Sequence, residues 1–177
     1  VRSGHCAFLA TEFGEGVFLA VEKLIYGGDG LARLPADARG RGKAVFVPFV
    51  LAGEQIEATL TEQKPGFARA EAVAVIAPSP HRVTPACPYF GQCGGCHYQH
   101  ISPAEQLRLK KEILRETLSR LGGITWEGAI AEHAAEPYSY RNRAQWAVRS
   151  GLPRALGYFL PESSVIVPID ECPVLSP

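Results

Sequence analysis

The chain contains no methionine, only two tryptophans, and no net charge, because 18 Lys and Arg offset 18 Asp and Glu. No apolar run approaches the ~20 residues that cross a bilayer, which excludes a helical membrane bundle. No N-terminal stretch joins a basic start to an apolar core and a small-residue cleavage site, so no secretory signal is read. With 46 % apolar and 20 % charged residues, the composition is that of a globular protein, and disordered or collagen-like classes are excluded. Neutrality says nothing about a nucleic-acid partner until the charges are placed along the chain. The expectation is a cytoplasmic monomer without membrane attachment. A first residue Val1 fits either a trimmed chain or a GTG codon rendered as Val, and the abrupt Cys172–Pro177 end reads as that of a fragment.

Punctuation divides what is there. Residues 1–16 show no periodicity and read as a leader. Residues 17–77 read as β throughout. Val17, Leu19 and Val21 alternate with their neighbours, and Leu24-Ile25-Tyr26 runs into Gly27-Gly28-Asp29-Gly30, a tight turn in which glycine supplies positive φ. Pro35-Ala36-Asp37 is a second turn, and Lys43–Val50 a strand whose Pro48 marks an edge or an end. Ile56, Ala58 and Leu60 alternate with Glu57, Thr59 and Thr61; Lys64-Pro65-Gly66 turns the chain into a strand over 70–76. Five or so short strands at regular spacing predict a small barrel.

Residues 78–102 are rich in Pro, Cys, Gly and His and have no periodicity, so their order must come from something other than a core. A helix is predicted over 103–121, with Ser102 as N-cap, Pro103 in the first turn, Glu105 completing an S-x-x-E capping box, and Leu107, Leu114, Leu118 and Leu121 as its apolar stripe. Gly122-Gly123 ends it. Strands are expected over 140–148 and 156–159, with a turn at 161–164. The fold class is therefore mainly β with one helix.

Three of the five cysteines cluster as C-x5-C-x2-C, at Cys87, Cys93 and Cys96, with Gly94-Gly95 letting the backbone wrap closely between two thiols. An odd count without a signal peptide argues against a disulfide framework. Thiolates bind soft or borderline metals, and four are needed to close a tetrahedral site or hold a cubane. Cys172, in Asp170-Glu171-Cys172-Pro173, is the candidate fourth, and Cys6 its rival. Zinc held by three cysteines plus His97 or His100 competes with an iron–sulfur group. A redox Cys93/Cys96 pair is less favoured, because the helix whose N-terminus would activate it starts several residues later.

Arg33, Arg39, Arg41 and Lys43 face one acid, Asp37, in the first basic stretch. Over 137–161, Arg141, Arg143, Arg149 and Arg154 are interleaved with Tyr138, Tyr140, Trp146, Tyr158 and Phe159. A continuous strand over 140–149 would place Arg141, Arg143, Gln145 and Arg149 on one face and Asn142, Ala144, Trp146 and Val148 on the other. Such a face suits phosphate contact, although an ordinary solvated face gives the same pattern. The helix mixes both signs and reads as solvated.

The run Cys87-x5-Cys93-Gly94-Gly95-Cys96-His97-Tyr98-Gln99-His100, followed by Glu105-Gln106-Leu107 and Lys110-Lys111, resembles the signature of the RNA uracil-C5 methyltransferases. Tyr140-Arg141-Asn142-Arg143, Leu156-Gly157-Tyr158-Phe159 and Ile169-Asp170-Glu171-Cys172-Pro173 match the same family in order. The 17–77 barrel is similar to its TRAM domain, an OB-like RNA-binding module. The resemblance implies a 4Fe-4S cluster on Cys87, Cys93, Cys96 and Cys172, and a cluster loop, helix and small central β domain over 78–177. It implies RNA as partner, 23S rRNA above all, with Arg39, Arg41, Lys43, Arg141, Arg143, Gln145 and Arg149 as contact candidates. The family's catalytic thiolate, carboxylate base and S-adenosylmethionine-binding domain lie C-terminal to the Cys-Pro. No catalytic residue is therefore expected in this chain, which should bind RNA and cluster without methylating alone. The other reading kept open is a stand-alone zinc- or cluster-binding RNA-binding module.

Overall fold

A computed structural model describes residues 16–36, 40, 42–151 and 154–177. The leader to residue 15, including Cys6, and Arg39 and Arg41 lie outside these. The chain divides into two compact units, one reaching Lys23 and resuming over Gly30–Pro78, the other comprising Leu24–Asp29 and Ser79–Pro177.

The six-stranded sheet uses β1 (Gly16–Ala20), β2 (Lys23–Leu24), β3 (Gly30–Arg33), β4 (Ala44–Val47), β5 (Gln55–Gln63) and β6 (Phe67–Ala77), in the order β1-β5-β6-β4-β3-β2. The β1/β5, β5/β6 and β3/β4 pairs are antiparallel, and β4 runs parallel to β6. Period-two alternation sends Ile56 and Ala58 of β5 inward, where they share the core with Ala68 and Ala70 of β6 and with Val45, Val47 and Val50. Four of its buried residues are alanines (Ala32, Ala58, Ala68 and Ala70), and such short side chains let a sheet curl tightly on itself. Register shifts between β5 and β6 add curvature.

Several sequence expectations are refined. The strand expected over 43–50 is only Ala44–Val47; Pro48 and Phe49 turn away, with Phe49 at φ 61°. In the glycine turn, Gly27 and Gly28 take φ 101° and 104°. Gly30 does not: it opens β3, where a Cβ would come within 2.4 Å of a Val50 methyl. Space, not handedness, demands glycine there.

In the second unit the helix α1 spans Pro103–Gly122 and stops at Gly123 in the left-handed conformation. Its start differs from the expected capping box. The Ser102 side chain makes no cap, and its N–H goes to the His81 carbonyl. Glu105 instead takes two hydrogen bonds from Arg108 at 2.5 and 2.8 Å, and these hold its carboxyl below the usual range. The expected leucine stripe is also corrected. Leu109 is the buried leucine, while Leu114 is 44 % and Leu121 86 % exposed. Beyond the helix, β7 (Ala147–Arg149), β8 (Ala155–Phe159) and β9 (Ile166–Pro168) form an antiparallel sheet in that order. The strand expected over 140–148 shrinks to β7, because the preceding residues find no ladder partner except at Arg141, which bridges to Leu175.

Ile56 is fully buried and Leu121 is not, so truncation should separate them. Ile56→Ala should cost about 2–5 kcal/mol and Leu121→Ala under about 0.5 kcal/mol in urea titrations of the chain. Equal losses would contradict the placement of the core.

Candidate metal centre

Residues 84–99 form a loop closed at its base by chain pairing. Arg82 bridges antiparallel to Ile101, Val83 N–H donates to the His100 carbonyl, and Ser102 N–H to that of His81. Ile101 is buried beneath this closure. The loop needs that clasp because it has no strand or helix of its own. Tight turns shape it instead: Phe90 N–H reaches the Cys87 carbonyl, and Gln92 and Cys93 N–H groups share that of Tyr89.

Cys87, Cys93, Cys96 and Cys172 all line one cavity, together with Tyr89, Gln99, Arg141, Tyr158 and Glu171. Its void is about 20 Å³, on the order of the space that admits one water molecule and far below the ~300–1,000 Å³ of organic-ligand sites. The four cysteines form no disulfide. Burial pushes the Cys87 and Cys93 thiols up, and the neighbouring cysteines add to the shift by repulsion. A cation among these sulfurs reverses that balance, since metal binding displaces thiol protons. Two backbone groups work in the same direction: Gly95 N–H donates to Cys93 Sγ at 3.3 Å, and Tyr89 N–H favours the Cys87 thiolate.

The glycines between two of the thiols act by close approach. Gly94 N–H donates to the Phe159 carbonyl at 2.9 Å, and a Cβ there would press on the same oxygen. This joins the loop to β8, which carries Tyr158. Cys172 arrives from the other end of the unit and is fixed on both sides. Before it, the Tyr89 hydroxyl donates to Asp170 Oδ2 at 3.3 Å and accepts from Asp170 N–H at 3.1 Å. After it, Ser139 N–H donates to the Pro173 carbonyl and Arg141 N–H to that of Val174, both at 2.9 Å, while Ser176 N–H returns to the Arg141 carbonyl.

The structure thus brings together the three clustered cysteines and Cys172. It does not bring His97 or His100 to the cavity. His100 is buried and packs its ring 5.5 Å from Phe90. Among the described residues no three His, Cys, Asp or Glu side chains converge closely enough to hold a single metal ion. Tyr89, Gln99 and Tyr158 were not singled out as site residues in the sequence: Gln99 Oε1 accepts from Cys87 N–H at 3.2 Å, yet no spacing marks it or the two tyrosines.

The basic residues are not brought to one face. Arg143 and Gln145 are exposed, as are the Asn142 and Ala144 assigned to the opposite face, so the two-faced strand is not formed there. Arg149 is exposed on β7, Lys43 is half-buried, and Arg33 pairs with Glu22 at 3.2 Å. No helix among the described residues is long and apolar enough to cross a membrane.

Comparison with known proteins matches residues 13–73 to the TRAM domain. The chain is 39 % identical over 157 residues to an uncharacterized RNA methyltransferase of Aquifex aeolicus, covering 87 % of this chain and 34 % of that protein. It is 37 % identical over 170 residues to the 23S rRNA (uracil(1939)-C(5))-methyltransferase RlmD of Shewanella amazonensis, covering 94 % and 37 %. A solved structure, the Pyrococcus abyssi tRNA (uracil-54, C5)-methyltransferase in complex with S-adenosyl-L-homocysteine, aligns with TM-score 0.50 and 27 % identity over 90 % of this chain and 33 % of that one. The chain therefore spans about a third of the length of the curated relatives it matches.

Removing the Tyr89 hydroxyl deletes two hydrogen bonds while keeping the ring. Tyr89→Phe should lower stability by about 0.5–1.5 kcal/mol and speed amide exchange at Asp170. Unchanged exchange there would show that the tyrosine does not hold the Cys172 segment.

Proposed function

We propose that this chain, which carries a TRAM domain and is homologous over most of its length to RNA uracil-C5 methyltransferases, is the RNA-binding and 4Fe-4S-bearing part of a 23S rRNA uracil-C5 methyltransferase. The observation that carries the reading is the meeting of Cys87, Cys93, Cys96 and Cys172 around one small cavity. The donor set fits the group: all four are thiols, the softest protein ligands, and Cys₄ is the usual ligand set of such clusters. A single zinc ion requires every sulfur at ~2.3 Å from one point, and no three ligating side chains among the described residues converge so. When bound, the cluster would be held by three thiolates of the loop and one from Cys172, and would so tie the Cys172 segment to the loop. Tyr89, Gln99 and the Gly95 amide orient the cysteines, and Tyr158 closes one wall.

RNA is the partner that this reading assigns to the TRAM domain, to the half-buried Lys43 and to the exposed Arg143, Gln145 and Arg149, with Arg39 and Arg41 as further candidates outside the described residues. In the relatives that carry the activity, the chain's counterpart is about a third of the protein. The S-adenosylmethionine-dependent transfer belongs, on this reading, to the remainder, because the resemblance places the cofactor domain C-terminal to the Cys172-Pro173 pair. The chain by itself should bind RNA and show no transfer.

Anaerobically purified chain should be brown, with a broad band near ~400 nm and about four iron atoms per chain. Cys172→Ser should lose most of the iron and Cys6→Ser none; equal iron in both would refute the ligand set, and one zinc with no colour would replace the cluster by the zinc-module reading. For RNA, Arg143→Ala with Arg149→Ala should make the slope of log affinity against log salt shallower by roughly 1.4. An unchanged slope would leave that face merely solvated.

A further inference from the structure

The cysteine site leaves a second cavity of the same unit unused. It is an open cleft of about 640 Å³, inside the ~300–1,000 Å³ range of organic-ligand sites. Gly94 and Gly95 line one part of it, and Tyr158, Phe159 and the turn at residues 160–164 line the rest. We propose that this cleft takes one unpaired base of an RNA strand, stacked on the Phe159 ring. The proposal rests on the reading that RNA is the chain's partner.

Three observations of shape carry it. Phe159 is 49 % exposed, whereas Ala155 and Gly157 of the same strand are buried. Its ring is thus accessible at the cleft, and unpaired RNA bases are commonly held by stacking on such rings. Gly94 and Gly95 keep the loop side of the cleft bare. A Cβ on Gly94 would come within 2.9 Å of the Phe159 carbonyl and 3.5 Å of the Pro161 nitrogen. The remaining wall is preformed by its own hydrogen bonds. Leu160 N–H donates to the Val165 carbonyl at 2.8 Å, Ser163 N–H to that of Leu160 at 3.2 Å, and Val165 N–H to Ser163 Oγ at 3.1 Å. Within this turn Glu162 holds a φ of 53°. A residue with a Cβ is strained there, and strain of this kind gathers at ligand clamps.

Charge decides which part of a nucleotide the cleft suits. Among the described residues no Lys or Arg lines it, and Glu162 is its one carboxylate. A phosphate gains nothing in such surroundings. A flat, neutral ring gains contact with Phe159, Leu160 and Pro161, and Ser164 offers a hydroxyl to its polar edge. The phosphates of the strand then stay outside, with cations elsewhere such as the exposed Arg143 and Arg149. Stacking and phosphate contact are therefore separable: removing the ring weakens binding by the same factor at every salt concentration, because no counterion release is lost.

The test is binding of the full chain to a short single-stranded oligouridine with one central 2-aminopurine, whose emission is quenched by stacking. Affinity is read separately from the anisotropy of a dye at the strand's end. The wild type should quench the emission. Phe159→Leu keeps an apolar side chain but removes the ring. It should bind about tenfold more weakly, lose most of the quenching and keep the wild-type slope of log affinity against log salt. Phe159→Tyr should restore affinity and quenching. Free uridine monophosphate at the strand's concentration should not compete; competition would make the cleft a site for free nucleotides and overturn the proposal. A wild type that binds the strand without quenching, or a Phe159→Leu chain with affinity and quenching unchanged, overturns the proposal and leaves the RNA reading intact. A changed salt slope in Phe159→Leu, or no recovery in Phe159→Tyr, also overturns it, since either marks a disturbed fold in place of a lost stack. If Phe159→Leu does not fold, the exposed Ser164→Leu fills the cleft instead: lost quenching at an unchanged salt slope supports the proposal, and retained quenching overturns it. A wild type that binds no RNA ends the RNA reading, and the proposal with it.

Discussion

The second unit depends on holding Cys172 against a loop from which it is distant in sequence. Such a closure has an entropic cost that rises slowly with the length of chain enclosed. The structure meets it with several modest contacts. Asp170 is tied to Tyr89, Pro173 and Val174 are tied to the segment at Ser139 and Arg141, and β9 pairs with β8, whose Phe159 holds Gly94. Each is a single hydrogen bond or a short ladder. Together they bring four sulfurs to one void with backbone amides already facing two of them. A metal group that binds such a site adds its free energy to folding, because no comparable site exists in the unfolded chain.

The two units answer the problem of stability differently. In the first, alternation delivers a continuous core of Val45, Val47, Val50, Ile56 and four alanines, and burial alone accounts for its order. In the second, the buried apolar residues are few and dispersed: Leu24, Ile101, Leu109, Ala155, Ile169 and Val174. The loop of 84–99 contributes none of them. A segment of that kind is ordered by turns, a basal clasp and side-chain hydrogen bonds. Small units with thin cores commonly rely on such cross-links or on a structural metal.

What could be read from the sequence follows the same division. Hydrophobic alternation located the strands of the curled sheet, and the Ser102/Pro103 start and Gly123 stop located α1, because these signals are local. The cysteine spacing gave three residues and Cys172 as candidate fourth, and these four line one cavity; the rival Cys6 lies outside the described residues. Illegible were the features set by distant partners. Ser102 has the identity of a cap, but its N–H is claimed by His81. Leu109 is buried in place of the expected leucines because what the helix packs against is set by the fold and not by its own pattern. Tyr89 and Gln99 do their work through partners 81 and 12 positions away.

The arginines make the general point most clearly. Arg141, Arg143 and Arg149 are indistinguishable by charge, by neighbouring aromatics and by period-two position. That pattern presupposes a strand, and a strand requires a partner along its whole length. The chain offers one only at Arg141 and again from Ala147 onward. Between these points the alternation is broken, and the residues before and after the break fall into different environments. The Arg141 backbone is held by the segment after Cys172 and the residue lines the cysteine cavity; Arg143 stands exposed before β7 and does not. Equal charges spaced two residues apart come to lie in unequal surroundings because hydrogen-bond pairing, not charge, decides where the backbone of each is fixed.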